Sequence, residues 1–313
     1  MPELEPAAEP KPTPATSHLT DEDLSAGTPA THPTDEGLSA GTPATGRYFT
    51  RFTSAQRTLH AVLFTTFLGL AATGLPLRFS ESIWARGLAR AVGGFGAILF
   101  LHKFCALALT IAFLVHVKDL VQRALQHEKG IFWGATSMVG NWKDVKDIFN
   151  HMRWFVGLGP KPHFERYAYW EKFDYWAVFW GMIVIGFSGY AMWFAPFFAH
   201  FLPGWALNAV LIIHSEEGLL AILFIFAIHF VNTHLRPDSF PMDMVIFTGV
   251  ESEEEFRHKR PLEYERLARE GKLDRKVGEK PQRWFVNFSR IAGTAAIAFG
   301  LLLLVLTLTA YFG

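Results

Sequence analysis

The chain has 313 residues, of which half are hydrophobic, and they include 30 Phe and 10 Trp. This composition is too apolar for a soluble protein with an ordinary surface and indicates a protein with several membrane spans. Lys and Arg balance Asp and Glu, so nothing points to a nucleic-acid partner, and one cysteine cannot form an internal disulfide, a CxxC site or a CxxCH attachment.

The N-terminal segment 1–46 is rich in Pro, Thr, Ala and acidic residues and has almost no large apolar side chain. Residues 17–30 are repeated as 31–44, with eleven of fourteen positions identical. Such a segment cannot bury enough apolar surface to order itself, so we expect a disordered tail with a tandem repeat. It lacks the pattern of a signal peptide, and the first apolar helix is expected to act as the insertion signal.

Five apolar stretches follow, each long enough for a membrane-spanning helix. The predicted spans cover residues 58–77, 95–120, 174–196, 207–234 and 291–313. A short interfacial helix is predicted at 79–92, and the segments 122–172 and 236–290 are polar. The predicted fold class is therefore an all-α integral membrane bundle, with a four-helix core in residues 47–235 and a fifth, C-terminal transmembrane helix.

Lys and Arg are concentrated in the 122–172 and 236–290 segments and are absent from the turn between the third and fourth spans. Because positively charged loops stay in the cytoplasm, we expect the N-terminus and both segments inside and the C-terminus outside. Arg78, Arg86 and Arg90 in the first external loop are a mild conflict with this orientation. The expected location is the inner (cytoplasmic) membrane of a bacterium.

Two spans carry a histidine near each end. His214 and His229 are fifteen residues apart in the fourth span, about 22 Å along an α-helix and roughly 60° around it. His102 and His116 are fourteen residues apart in the second span, about 21 Å along and roughly 40° around. Both spans run from outside to inside, so each histidine of one helix has a counterpart at matching depth on the other.

Paired imidazoles at two depths are what two stacked bis-histidine haems need, because haem iron takes an axial imidazole from each side. We therefore expect the four-helix core to bind two b haems non-covalently. His102 and His214 are predicted to hold the outer haem. His229 is predicted to hold the inner haem together with either His60, near the inner end of the first span, or His116.

A third haem is a further alternative, because His234 lies one turn beyond His229 and brings the histidines of the spans to six. Otherwise, we interpret His116 as a hydrogen-bonding partner of a propionate or quinone and His234 as a helix-end histidine. Lys103, Lys118 and Arg236 are candidates to pair with haem propionates, or else they extend to the interface. Small residues would allow rings or backbones to approach closely, at Gly69, Gly74, Ala106, Gly181, Gly186, Gly189 and Gly218.

Residues 50–235 resemble the di-haem cytochrome b subunits of membrane formate dehydrogenase (the gamma subunit) and nickel–iron hydrogenase. The resemblance rests on RTLHAVLFTTFLGLAATGLPL, FLHKFCAL, KFDYWAVFWGMIVIGFSGYAMWF and IIHSEEGLLAILFIFAIH. It implies that His60, in the R-x-x-H motif of the first span, holds the inner haem with His229. It also implies that His102 and His214 hold the outer haem, and that a quinone binds next to the inner one.

The chain departs from the family pattern in three ways. His116 gives the second span a paired spacing like that of quinol-oxidising cytochromes b of respiratory and photosynthetic complexes. The spacing from His214 to His229 is one residue longer than in the formate dehydrogenase pattern. The chain also has a fifth span and His234.

Four polar residues are candidates for quinone binding or proton transfer. Glu216 and Glu217 follow His214 by about half a turn and would accept a quinol proton near the outer haem or else face water. Asp174 and Asn232 lie at the inner boundary, where the resemblance implies a quinone head group.

We therefore expect an electron-transfer subunit that connects a pool of menaquinone or ubiquinone in the lipid bilayer with a redox partner subunit. With a single cysteine, any iron–sulfur cluster or c-type haem would belong to that partner. Two alternatives stay open. One is a ferric reductase-like b cytochrome whose flavin domain comes from another chain. The other is a non-haem di-iron membrane oxygenase, since His229 and His234 have the spacing of one histidine box.

Overall fold

The computed structural model describes residues 46–236 and 239–312. The predicted tail, apart from Gly46, lies outside the described residues. Five helices are long and apolar enough to cross a membrane: Ser54–Arg78, Phe95–Leu125, Tyr169–Trp193, Gly204–Leu235 and Arg283–Phe312. The predicted all-α membrane bundle with a fifth, C-terminal helix is confirmed.

The first two spans pack along each other. Helix α1 (Ser54–Arg78) begins with a capping box, in which Thr53 Oγ1 accepts the N–H of Gln56 and the Gln56 side chain accepts the N–H of Thr53. Helix α2 (Ile83–Val92) connects it to α3 (Phe95–Leu125), which packs against α1. Between α2 and α3 the chain turns sharply at Gly93 and Gly94, whose φ angles of 104° and 101° favour glycine.

The third and fourth spans each contain π-helical turns. The third consists of α5 (Tyr169–Gly181), a π-helical turn (Met182–Gly186) and α6 (Phe187–Trp193). The short helix α7 (Ala195–Phe198) leads to the fourth span, in which α8 (Gly204–Leu223) continues as π-helix at Phe224–His229 and Val231–Leu235. A π-helix bonds each N–H to the fifth residue back, so each turn holds more residues than an α-helical turn. The angle of roughly 60° between His214 and His229, which assumes a regular α-helix, therefore does not apply to this span.

Helix α12 (Arg283–Phe312) packs on α1 and on the π-helical part of the fourth span. Its buried residues form one stripe: Ser289, Gly293, Ile297, Gly300, Leu303 and Thr307. A Cβ atom added to Gly300 would lie 2.8 Å from the ring of Phe230 and 2.9 Å from that of Phe226. The helix begins at Arg283 rather than at residue 291, because polar residues continue it beyond the apolar run.

The polar segment between the second and third spans contains helix α4 (Trp142–Phe155), capped by the Asn141 side chain, which accepts the N–H groups of Lys143 and Asp144. Lys172, in the first turn of α5, makes a buried ion pair with Asp144, with Nζ 2.8 Å from Oδ2. This contact fixes α4 to the start of the third span.

A small cap is built from residues on either side of the first four spans. Its antiparallel sheet has the order β2-β1-β3, with β1 at Tyr48–Thr50, β2 at Val250–Ser252 and β3 at Val277–Gly278. Three helices, α9 (Val245–Thr248), α10 (Glu253–Lys259) and α11 (Pro261–Arg269), and a 3-10 turn (Leu273–Lys276) complete it. We call residues 46–53 with 245–278 the cap. The side of the bundle that carries it is the cap face, and the opposite side, with α2 and α7, is the turn face.

Ion pairs connect the cap to the third span. Arg51, only 2% exposed, donates to Glu171 of α5 (Nη2 to Oε1, 3.2 Å) and to Glu263 of α11 (Nη1 to Oε2, 3.4 Å). Arg166 donates to the other oxygen of Glu263 at 3.1 Å. Burial, with the nearby charge of Arg260, lowers the pKa of Arg51. The cap is thus fixed to the start of the third span through Arg51, which is buried, and Glu171, which is partly exposed.

Candidate functional site

Two histidines of neighbouring spans face each other on the turn-face half of the bundle. His102 comes from α3 and His214 from α8, and their ring centroids are 6.3 Å apart with planes inclined at 81°. We call them the turn-side pair. These are the two residues that the sequence predicts as partners in the outer site, and the structure brings them together.

Hydrogen bonds fix the orientation of both rings. The Thr73 hydroxyl donates to the Gly69 carbonyl at 2.6 Å, so its oxygen accepts from Nδ1 of His102 at 2.9 Å. His214 Nδ1 donates to the Ile185 carbonyl at 3.0 Å. With Nδ1 acting as the donor in each neutral ring, Nε2 keeps a free lone pair. Metal-binding histidines are oriented by partners of this kind.

The centroid separation of the turn-side pair is compatible with one metal ion bound between two imidazoles. Imidazole nitrogens bind first-row metal ions at about 2.0 to 2.1 Å. The centre of a five-membered ring with bonds of about 1.33 Å lies about 1.1 Å from each ring atom. Two rings with their nitrogens in line across one iron would therefore have centroids about 6.2 to 6.4 Å apart. The turn-side pair has this separation.

Two of the predicted small residues lie against these rings. A Cβ atom on Gly189 would lie 2.9 Å from Cε1 of His214, and one on Gly74 would lie 3.1 Å from Cε1 of His102. Gly69 instead lies against Cys105 Sγ. A Cβ on Gly186 or Gly218 would meet no described atom within 4 Å, so close packing with protein atoms is not their role in the described structure.

A second group of histidines lies on the cap-face half of the bundle. His229 and His234 have ring centroids 6.0 Å apart, and His60 interacts electrostatically with both. His229 Nδ1 lies 2.9 Å from Oδ2 of Asp174, and the carboxylate accepts a hydrogen bond from the Nδ1–H group. We call His60, His229 and His234 the cap-side cluster.

His234 is held in the opposite tautomer. It is 6% exposed, and its Nδ1 accepts the backbone N–H of Asp243 at 3.3 Å. In a neutral ring the proton is then on Nε2, which is a donor rather than a free lone pair. His229, with its carboxylate partner, has the bonding pattern of a metal ligand, whereas His234 has that of a structural hydrogen-bonding residue.

His116 lies elsewhere. Its Nε2 is 3.0 Å from the hydroxyl of Tyr175, and its ring packs against Tyr175 and Phe179 of α5. No ring contact or hydrogen bond joins it to His229 among the described residues. His60 likewise makes no ring contact or hydrogen bond with His229 among the described residues, so the choice between His60 and His116 stays a prediction.

The carboxylate candidates occupy different surroundings. Glu216 forms an ion pair with Arg78 at 2.8 Å and its side chain is 52% exposed, so it faces the turn-face boundary. Glu217 accepts a hydrogen bond from the indole of Trp180 at 3.4 Å. Asp174 differs, because its second oxygen, Oδ1, is buried without a hydrogen-bond partner among the described residues. Asn232 is partly buried on the π-helical end of the fourth span.

Two of the three cationic candidates lie over aromatic rings, and no such contact is seen for Lys118 among the described residues. Lys103 Nζ lies 5.0 Å from the ring centroid of Trp193, and the Arg236 guanidinium lies 5.1 Å from that of Trp170. Both belong to the boundary regions of their spans. These contacts do not test the predicted pairing with haem propionates, which stays a prediction.

Sequence reasoning missed the groups that orient the histidines. Thr73 is a polar residue inside an apolar span, next to Gly74, and that pattern was an available signal. Nothing in the sequence indicated the role of the Ile185 carbonyl. A backbone carbonyl inside a helix becomes available only where the regular hydrogen bonding is disturbed, here by the π-helical turn at Met182–Gly186.

Among the described residues, no group of three or more His, Cys, Asp or Glu side chains converges as a metal site; the turn-side histidines meet as a pair. No family model matches this chain, and no curated protein matches it either.

Proposed function

We propose that the chain is a membrane cytochrome b that binds two b haems and transfers electrons between a membrane quinone and a redox partner subunit. The observation that supports it best is the turn-side pair. The ring centroids of His102 and His214 lie 6.3 Å apart, both rings have Nδ1 next to an acceptor, and these two residues would hold a haem.

In this proposal His102 and His214 hold one haem, and His60 and His229 hold the other. A b haem supplies reversible one-electron transfer at its iron. Thr73 and the Ile185 carbonyl hold the turn-side imidazoles in the tautomer that presents Nε2. Asp174 does the same for His229.

The cap-side cluster also supports a quinone head group in its neighbourhood. Asp174 Oδ1 is a buried acceptor with no donor among the described residues, and buried polar atoms normally have a partner. A quinol hydroxyl is a donor of the right kind, and this carboxylate would accept its hydrogen bond and could hold its proton. Asn232 is the second candidate for the same head group.

The proposal is tested first by the haem b content of the purified membrane protein, measured as pyridine haemochrome per polypeptide. We expect two haems per chain. Three would make His116 and His234 ligands and change the electron path. None would overturn the cytochrome proposal and favour non-haem iron.

Replacement of either turn-side histidine separates the two sites. His102→Ala and His214→Ala are each expected to lower the haem content from two to one, since an axial ligand is lost. His200→Ala is the matched control, because His200 is an exposed histidine on the turn face and should keep both haems. Two haems in both ligand variants would contradict the assignment.

A further inference from the structure

Helix α4 lies across the start of the third span. Asp144 and His151 are seven residues apart, about 10 Å along α4. Both contact the first turn of α5: Asp144 binds Lys172, and His151 lies 3.1 Å from the hydroxyl of Tyr169. These α5 residues are only about 4.5 Å apart along their helix. Two helices with parallel axes would have contacts spaced equally along both, so the two contacts favour a crossing of α4 over the start of α5.

The outward side of α4 is apolar. At about 100° per residue six of its seven exposed large apolar side chains share an arc of about 140°, and Trp154, 37% exposed, lies outside it. The six are Trp142, Val145, Ile148, Phe149, Met152 and Phe155. Phe149 is 62% exposed and Phe155 is 71% exposed, values like those of the side chains on the outer faces of the spans. Trp142, Phe149, Met152 and Phe155 are each more than half exposed in the described structure.

Charge is sorted on the same helix. Both of its acidic residues, Asp144 and Asp147, are buried against the protein and paired with Lys172 and Lys143. Its exposed charges are basic: Lys146 and Arg153 are seven residues apart and lie at one edge of the apolar arc. A helix with an apolar face bordered by basic residues has the composition of an in-plane helix that binds an anionic lipid surface.

We propose that α4 is an in-plane membrane helix, which inserts this apolar face into the lipid at the cap face and directs Lys146 and Arg153 to anionic headgroups. The occupant is the bilayer, because α4 is fixed to the first turn of a span and its apolar face lies at the level where that span enters lipid. The proposal does not depend on haem or quinone binding.

The depth of α4 can be measured by spin labelling of the full chain. Cys105 is the single cysteine and is replaced by Ala, after which Phe149→Cys carries a nitroxide in vesicles of phosphatidylglycerol and phosphatidylcholine. Leu107→Cys on the exposed side of α3 is the lipid reference, and Ala268→Cys on the exposed side of α11 is the water reference. Collisions with oxygen report lipid, and collisions with a soluble nickel chelate report water.

We expect the label at residue 149 to resemble that at 107, with at least several-fold less collision with the nickel chelate than at 268. Nickel accessibility equal to that at 268 would overturn the proposal and make the face a surface for a soluble partner. Because residue 149 is exposed, its substitution leaves the fold intact, and a monodisperse gel-filtration profile checks this.

A charge variant tests the headgroup part. Lys146→Gln with Arg153→Gln is expected to make the label at 149 shallower in phosphatidylglycerol vesicles and to abolish the difference between these and pure phosphatidylcholine. An unchanged depth in both lipids would overturn the role of the two basic residues.

Discussion

At the scale of single residues, the position of a proton separates ligand-like from structural histidines. His102, His214 and His229 each have Nδ1 next to an acceptor, so Nε2 is free to bind a metal. His234 has Nδ1 next to a backbone N–H, and its Nε2 carries the proton. The sequence shows that these residues are histidines at certain depths. It does not show the tautomer, which depends on groups far away in the chain.

The choice between His60 and His116 is a prediction at this scale. His60→Ala is expected to lower the haem content from two to one, because His60 belongs to the cap-side cluster. His116→Ala is expected to keep two haems, since His116 is bonded to Tyr175 in the described structure. Pyridine haemochrome per polypeptide is the measurement. The reverse order would place all four ligands on the second and fourth spans.

At the scale of helices and strands, the spans could be predicted and their irregularities could not. Long uncharged apolar runs define the spans, with ends that differ from the structure by a few residues where polar turns extend the helices. The π-helical turns at 224–229 and 231–235 leave no mark in hydropathy. The turn at 224–229 changes the rotation between His214 and His229, because a π-helical turn holds more residues than an α-helical one.

The contact of α12 with the fourth span gives a prediction at this scale. Gly300→Ala would place a Cβ within 3 Å of two phenylalanine rings and is expected to destabilise the protein by about 1 to 3 kcal/mol through overpacking. Gly218→Ala is the matched control, a glycine within a span where a Cβ meets no described atom within 4 Å. The midpoint of thermal unfolding in detergent is the measurement, and equal midpoints would show that the Gly300 contact is not tight.

At the scale of the whole molecule, the cap was not predicted, because its strands have only two or three residues and show no alternating pattern. The sequence indicates a polar segment at 236–290 and nothing of its pairing with Tyr48–Thr50. That pairing joins residues far apart in the chain, and long-range strand contacts leave no local trace in composition. The ion pairs of Arg51 could not be predicted from the sequence for the same reason, because they also join residues far apart in the chain.

The attachment of the cap rests on Arg51. Arg51→Met removes a positive partner from the buried Glu263 and from Glu171, whose side chain is 32% exposed, and breaking a buried pair such as Arg51–Glu263 costs about 3 to 5 kcal/mol. Local unfolding of the cap should increase, seen as faster amide hydrogen exchange in residues 250–278. Arg47→Met is the control, because Arg47 pairs with Asp274, whose side chain is 88% exposed, and such a pair is worth about 0 to 1 kcal/mol. Equal exchange in the two variants would show that the buried network does not hold the cap.

The order of strands in the cap sets the order of events during synthesis. Strand β1 leaves the ribosome before the first span, whereas its partner β2 follows about 200 residues later. At about 5 to 20 residues per second, β1 waits roughly 10 to 40 s for that partner, while four spans are inserted. The third strand arrives later still. Cap closure therefore comes after insertion of the four-span core, and a nascent chain that stalls before residue 250 leaves β1 as an unpaired edge.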